Sequence, residues 1–397
     1  MTVDSIVILV GYIALHIFSV IATETCLASH TRKDGPYRKI RPVWMALYIF
    51  ISVLPILGTF WPESALKYSI MKYGNLLIGF DIYYCGFLLI FWAVDRVIRI
   101  IRHKKEWKDF APARWTMIVA IVLALIIPCY AMVHAQRPVV TYWTADLTKG
   151  QQEKGTYRVV LLADFHMSVN SKPALIEKAA ALANAQDADA IFITGDFFTS
   201  NYEGLKDPEL YIAALSQLSA REGVFAVYGN HDVKEDLFCG FAVAPVYKAF
   251  RPPEMEKFLE DCGFTMLEDE TVEIADGNIV LVGRKDADRV GDGTNIRKSA
   301  EELLSGIDPD RTVFVLEHEP EEYSTLVAAG ADVAFSGHTH RGQIWPCNIF
   351  IHFMTENAYG HKTFDTLETF VTSGVGYFGP PQRSGTDSEV MVIDITY

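Results

Sequence analysis

The chain has 397 residues, half of them hydrophobic, a positive mean hydropathy and a formal net charge of −14. That length exceeds one ordinary domain, and that hydropathy is high for a chain lying wholly in water. Residues 1–150 hold 16 Lys and Arg against 9 Asp and Glu, whereas residues 151–397 hold 19 against 40, an acidity that excludes the basic surface needed for nucleic-acid binding.

Four apolar runs open the chain, at 3–23, 42–61, 74–94 and 115–135. Each has about 20 residues, the length a helix needs to cross a ~30 Å hydrocarbon layer. The first run lacks the positive start of a signal peptide, Asp4 being its only early charge, and three more runs follow it. A lipoprotein reading of Cys26 fails because Glu24 and Thr25 precede it. A soluble bundle would need polar faces that these runs lack, so an all-α, four-helix transmembrane domain is predicted over 1–135. Trp44, Trp61, Trp92 and Trp115, at or near the span ends, suit interfacial positions.

Loop charges set the orientation. Arg32, Lys33, Arg38, Lys39 and Arg41 lie between the first two runs, and Arg96, Arg99, Arg102, Lys104, Lys105, Lys108 and Arg114 between the last two. The middle loop has only Lys67 and Lys72. This bias predicts a multi-pass protein of the cell membrane with both termini, and the whole C-terminal part, outside the cytoplasm. Asp81 lies inside the third run. An acid there reads either as a functional group or as a hydrogen-bonding partner for a neighbouring helix. The six cysteines form no CxxC and no zinc or disulfide spacing, so they read as small packing residues.

Residues 136–156 read as a linker. Beyond them, short apolar runs at 157–163, 189–194, 223–228, 278–283, 311–316, 331–336, 369–373 and 388–396 read as strands. Helical stretches at 172–185, 207–220, 253–261, 297–305 and 320–329 separate them, an α/β pattern over 157–397.

Five of these strands run directly into polar chemistry. The first leads to Asp164-Phe165-His166 and the second to Gly195-Asp196. The third leads to Gly229-Asn230-His231-Asp232, the fifth to Glu317-His318 and the sixth to Gly337-His338-Thr339-His340. Ligands of open α/β sheets bind beyond the carboxyl ends of strands, so these groups are expected to converge. Five of the seven histidines in 151–397 belong to the set, while His352 and His361 read as surface or packing residues. Carboxylate, imidazole and one amide oxygen, without thiolate, suit manganese first, with iron or zinc as alternatives. They are too many for one tetrahedral ion, and two ions sharing a carboxylate would use them all.

The ordered set D-x-H, G-D, G-N-H-D, H and G-H-x-H resembles the calcineurin-like metallophosphoesterase superfamily over about residues 155–397. The tail, Gly337-His338-Thr339-His340-Arg341-Gly342-Gln343 with Ser373-Gly374-Val375-Gly376, resembles that superfamily's bacterial membrane-associated branch. The resemblance implies an αββα four-layer sandwich of two mixed sheets. It implies a first divalent metal on Asp164, His166, Asp196 and His340, and a second on Asp196, Asn230, His318 and His338, with Asp196 bridging. It makes His231 a non-ligand that protonates the leaving oxygen, with Asp232 holding His231 in position. Arg341 would touch substrate phosphate or lie solvated at the surface. Phe165 stands where many relatives have Leu.

Two metals about 3.5–4 Å apart can clamp phosphate oxygens and supply hydroxide for in-line attack. No G-x-S-x-G elbow points to a covalent route. The function expected is hydrolysis of a phosphate ester, on a lipid-linked or cell-envelope substrate. The alternatives are a pyrophosphatase on a lipid- or nucleotide-linked diphosphate, and a membrane receptor that only binds metal. Apolar stretches at 238–247 and 344–351, each following a site turn, would enter the bilayer, hold an acyl chain, or simply pack.

Overall fold

A computed structural model of the chain describes residues 3–30, 37–101, 114–147, 155–199, 201–235, 237–238, 241–242 and 249–397. The chain forms two compact units. One comprises Met1–Met132, Asp236–Pro245 and Gly379–Pro381; the other comprises Val133–Glu235, Val246–Phe378 and Gln382–Tyr397.

The first unit is helical. Apart from Trp61 and Ala135, the four apolar runs fall within α1 (Val3–His30), α2 (Tyr37–Phe60), α3 (Ala65–Ile101) and α4 (Arg114–His134). Among the described residues, two stretches, Ala65–Ile98 and Met117–His134, are long and apolar enough to cross a membrane, and Val10–Thr25 is apolar but shorter. Many large apolar side chains of this unit are exposed, and several polar ones are buried. On α1, Ile13, Ile17 and Ile21 are exposed while His16, Ser19 and Thr23 are buried; on α4, Val122, Leu125 and Ile126 are exposed while Ala120 and Ala124 are buried. Lys39, Arg41 and Arg96 sit on helix ends. Arg32, Lys33, Arg102, Lys104, Lys105 and Lys108 lie outside the described residues, as do the side chains of Arg38, Arg99, Arg114 and Trp115. Cys85, Cys129, Cys262 and Cys347 are free thiols, whereas Cys239 and the Cys26 side chain fall outside the described set.

The second unit holds β1 (Val139–Asp146), β2 (Thr156–Leu162), α5 (Pro173–Asn184), β3 (Ala190–Thr194), α6 (Pro208–Leu215) and β4 (Val224–Val227). A short hairpin of β5 (Leu237–Phe238) and β6 (Phe241–Ala242), which groups with the helical unit, comes next in the chain. After it come α7 (Pro253–Cys262), β7 (Thr265–Met266), β8 (Glu270–Ile274), β9 (Ile279–Gly283), α8 (Ala300–Leu304), β10 (Thr312–Leu316) and α9 (Tyr323–Ala329). The chain ends with β11 (Val333–Ser336), α10 (Cys347–Phe350), β12 (Gly360–Phe364), β13 (Leu367–Val371) and β14 (Glu389–Thr396).

These strands make two mixed sheets, in the orders β1-β14-β2-β3-β4-β7 and β12-β13-β11-β10-β9-β8. The period of two along each strand builds the layers. Val159, Leu161, Ala190, Phe192, Phe225 and Val227 of the first sheet meet Leu281, Phe314, Leu316 and Phe335 of the second in one buried core. The alternate residues Val160, Leu162, Ile191 and Ile193 pack under Leu175, Ile176, Tyr211 and Phe258 of α5–α7. On the other side, Val282, Val313 and Val315 pack under Leu303, Leu304, Tyr323 and Leu326 of α8 and α9. Helix, sheet, sheet and helix are thus stacked in four layers.

The segment expected as a linker differs. Residues 139–146 form β1, which pairs in parallel with β14 from Val139↔Glu389 to Asp146↔Thr396. This edge strand is mostly half-exposed, so its sequence lacks the continuous apolar run that marks the buried strands. Likewise α8 is shorter than its predicted stretch. Ser299 Oγ accepts the Glu302 N–H at 3.1 Å and the Glu302 carboxylate accepts the Ser299 N–H at 2.8 Å, a capping box that starts the helix at Ala300.

Candidate metal centre

The strands that carry the polar motifs, β2, β3 and β4 in one sheet and β10 and β11 in the other, run parallel within their sheets. Their carboxyl ends therefore share an edge, and the residues just past those ends must turn sharply to face one another. Asp164, His166, Asp196, His338 and His340 all adopt left-handed backbone, with φ of 55°, 44°, 57°, 70° and 49°. Such geometry costs on the order of 1–2 kcal/mol per non-glycine residue and clusters at functional sites. Two glycines make the close approach feasible: a Cβ at Gly229 would strike the Asp196 carboxylate, and one at Gly374 would lie 2.6 Å from Asp164 Cβ.

Two groups of donors result. Asp164, His166 and His340 form one, and Asp196, His318 and His338 the other; within each, the ligand atoms lie within 4.8 Å of one another. In the first, His166 Nε2 is 2.8 Å from His340 Nε2, and His340 Nε2 is 3.8 Å from Asp164 Oδ1. In the second, His318 Nε2 is 3.1 Å from Asp196 Oδ2, 3.1 Å from Asn230 Oδ1 and 3.3 Å from His338 Nδ1. Asp196 Oδ2 is also 3.6 Å from His166 Nε2, which places this carboxylate between the groups. His318 Nδ1 donates to the Thr194 carbonyl at 2.7 Å, so its Nε2 is the atom turned to the site. His166 Nδ1 meets the Thr199 hydroxyl. Backbone holds the carboxylates, with the His338 N–H donating to Asp164 Oδ1 at 3.1 Å and the His231 N–H to Asp196 Oδ1 at 2.9 Å.

The electrostatics fit ligation. Burial pushes His166 and His338 down to about 3 and His340 well below the usual imidazole range, leaving neutral rings with available lone pairs. Burial pushes Asp164 up to about 7, its Oδ2 is buried without a hydrogen-bond donor, and Asp196 adds repulsion. Burial works against charge on Asp196 and His318 too, but each overcomes it for the other. His318 holds Asp196 well below the carboxylate range, and Asp196 holds His318 well above the imidazole range. Acceptors gathered in two sets, with one carboxylate between them, fit two divalent cations.

His231 stands apart from both sets. Its ring stacks on Phe378 at 4.6 Å and lies 5.5 Å from the His166 ring. Burial lowers its pKa, but the Glu235 and Asp196 carboxylates outweigh that and push it up to about 9. The expected support from Asp232 is corrected here. His231 Nδ1 donates to Glu235 Oε1 at 2.6 Å, and Glu235 Oε2 accepts from Arg289 at 2.5 Å. Asp232 instead accepts the N–H groups of Asp196 (2.9 Å), Phe198 (2.9 Å) and Gly229 (2.8 Å). It ties two ligand loops together, because the tight turn folds its carboxylate back towards backbone.

Glu235, Arg289, Thr199, Phe378 and Arg383 are residues that sequence reasoning missed. Arg383 is fully buried; it donates to the Gly376 and Ser373 carbonyls at 2.8 and 2.7 Å and lies 3.2 Å from His340 Nδ1. None of them belongs to a strand-end motif, so no local signal marks them. The Arg341 guanidinium lies over the Tyr359 ring at 4.2 Å. His361 Nε2 meets the Glu368 carboxylate and its ring stacks on Phe370 at 4.6 Å, and His352 is exposed. Just past His340, Trp345, Ile349, Phe350, Phe353 and Met354 are exposed, Phe353 to 83 % and Met354 to 78 %. Most of the other apolar stretch, 238–247, lies outside the described residues.

Similarities to known proteins accord with this site. A family described as calcineurin-like phosphoesterase matches residues 157–342. A transmembrane protein with metallophosphoesterase domain from Danio rerio is 23 % identical over 322 residues, 77 % of this chain and 68 % of the relative. The protein of that description from Bos taurus is 25 % identical over 290 residues, 68 % of this chain and 60 % of the relative. An uncharacterized metallophosphoesterase from Helicobacter pylori is 26 % identical over 235 residues, 59 % of this chain and 58 % of the relative. The chain thus spans roughly three-fifths to two-thirds of the length of these relatives. Among solved structures, a dimetal phosphatase from Danio rerio aligns with a TM-score of 0.36 at 12 % identity, covering 61 % of this chain and 99 % of that one.

Proposed function

We propose that this chain, a member of the calcineurin-like phosphoesterase family through residues 157–342, is a membrane-anchored two-metal hydrolase of phosphate esters. The observation that carries the reading is the convergence of two donor sets around Asp196, with an imidazole beside them that neither set includes. Asp164, His166, Asp196 and His340 would hold one divalent ion, and Asp196, Asn230, His318 and His338 the other. Manganese suits these donors first, with iron or zinc as alternatives. When bound, two such ions supply Lewis acidity to the phosphoryl oxygens and lower the pKa of water.

The chain's own residues supply the rest. His231 faces the site with Nδ1 committed to Glu235, which leaves Nε2 to deliver a proton to the departing alkoxide oxygen. Glu235, itself held by Arg289, fixes the ring's orientation, and Phe378 fixes its plane. A protein that only bound metal would have no use for such a donor. An assay with a chromogenic phosphodiester, with and without Mn²⁺, is expected to show metal-dependent release of nitrophenol. Full metal loading with no turnover on any phosphate ester or anhydride would leave the receptor reading standing.

Membrane anchoring through four helices is supported by the many large apolar side chains that the helical unit leaves exposed. The loop charges orient the hydrolase outside the cytoplasm. A reporter fused after Tyr397 should behave as exported, and reporter activity confined to the cytoplasm would reverse the topology. The exposed apolar ridge from Trp345 to Met354, next in the chain after the His338–His340 turn, supports a lipid-linked or envelope substrate. Incubating the purified chain with a membrane-lipid extract should release inorganic phosphate. Release of a phosphorylated product instead would favour cleavage of a diphosphate or a diester.

A further inference from the structure

The helical unit buries a polar seam that phosphate hydrolysis does not use. His16 on α1 pairs through Nε2 with Asp81 Oδ2 on α3, and its Nδ1 donates to the Tyr12 carbonyl at 2.8 Å. Both ring nitrogens face oxygen acceptors, the pattern that an imidazolium with two N–H groups satisfies. One turn further, Ser19 Oγ donates to Cys85 Sγ at 2.9 Å, and beyond that the Thr23 and Tyr84 hydroxyls lie 2.6 Å apart. His16, Ser19, Thr23 and Asp81 are all buried. Ionisable groups among membrane helices are costly and mark ligand or transfer sites by default.

The seam leaves one side of Asp81 underused. Oδ1 takes only the weak Cys85 thiol donor at 3.7 Å and the Tyr48 hydroxyl at 3.4 Å, the latter longer than a full hydroxyl-to-carboxylate bond of about 2.5–2.7 Å. Asp81 and Tyr48 line a cleft of about 570 Å³ whose walls come from α1, α2, α3 and α4. That volume falls within the range of small-molecule sites, about 300–1,000 Å³. Leu27, Ile51, Leu77, Phe80 and Ile121 make its wall largely apolar, and no Lys or Arg is among the described lining residues.

We propose that this cleft binds a single-chain membrane amphiphile headed by a neutral hydroxyl. The chain would lie on the apolar wall, and the hydroxyl would donate to Asp81 and accept from Tyr48. His16 already balances the Asp81 charge, so a cationic head would be left uncompensated. A phosphate head would face a carboxylate with no cation in the described wall to offset it. The inference rests on the membrane placement of these helices and not on the hydrolytic reading.

The test uses the full chain reconstituted into phosphatidylcholine vesicles and labelled with a diazirine-bearing hexadecanol. Labels are expected on cleft-wall segments around Ile51, Leu77 and Ile121, competed by hexadecanol about fivefold better than by hexadecylamine or hexadecyl phosphate. Asp81→Asn and Tyr48→Phe should each weaken labelling by a similar factor. Leu77→Trp, which fills the cleft and leaves the His16–Asp81 pair untouched, should abolish it even if the polar variants fold poorly. Labels scattered evenly over the lipid-facing helices, better competition by the amine or the phosphate, or full labelling of Leu77→Trp would each overturn the proposal. Flotation separates the premise from the inference. A chain that does not float with the vesicles overturns the membrane placement and the inference with it, whereas a floated chain with scattered labels overturns the inference alone.

Discussion

Both units bury a histidine against an aspartate, and they hold the pair by opposite means. In the α/β unit, Asp196 and His318 come from loops at strand ends, and backbone fixes them. The Thr194 carbonyl takes His318 Nδ1, and the His231 N–H holds Asp196 Oδ1. In the helical unit, His16 and Asp81 come from helix interiors, where the helix itself occupies the backbone groups. Side chains there reach one another across α1 and α3, and His16 Nδ1 turns back to the Tyr12 carbonyl of its own helix. The difference teaches what each scaffold is suited to. Backbone-braced loops can aim several lone pairs at one point, as a cation requires. A helix seam has few free backbone groups to aim with and joins mainly side chain to side chain.

If this contrast is right, Asp196→Ala should have the largest effect of any single change, because one carboxylate lies between both donor sets. Metal measured on the purified variant should fall well below two ions per chain, and turnover should fall to background with it. Two ions retained at full occupancy would mean that Asp196 does not bridge.

His231→Ala separates chemistry from ligation within the same site. Both metals and the fold should survive while turnover drops by roughly 10²–10⁴-fold. The loss should shrink for leaving groups as good as nitrophenol, whose departure needs little protonation. His338→Ala should lose metal and activity together whatever the leaving group. Equal losses across leaving groups of very different basicity would recast His231 as a phosphate-positioning residue.

A smaller effect is expected from Glu235→Gln, which keeps shape but weakens the hold on His231. Turnover on poor leaving groups should fall by about tenfold to a hundredfold with metal content unchanged. Parallel loss of metal would assign Glu235 to the ligand loops instead. The smallest effect belongs to the helical seam. Ser19→Ala removes a single hydroxyl-to-thiol bond and should lower stability in micelles by about 0.6 kcal/mol, the average for such interhelical bonds. A loss of several kcal/mol would show that the seam is braced as tightly as the candidate metal centre, and the contrast would fail.

What the sequence determined by itself was whatever is local along the chain. The converging polar residues were legible because each follows a buried strand, so an apolar run and its polar end are read together. The four-layer sandwich was legible only through the family resemblance that those motifs carry. Tertiary structure decided which groups meet across long separations. His231 and Asp232 are neighbours in sequence, yet the turn points one ring at Glu235 and folds the other carboxylate onto the N–H groups of Asp196 and Phe198. Arg383 lies 43 residues beyond His340, and His16 and Asp81 sit on helices whose packing no periodicity specifies. The edge strands β1, β8 and β12 escaped as well, because a strand paired on one side and half-exposed carries no continuous apolar run. Residue type and strand period are properties of the chain, whereas the partner of a buried polar atom is a property of the packed fold.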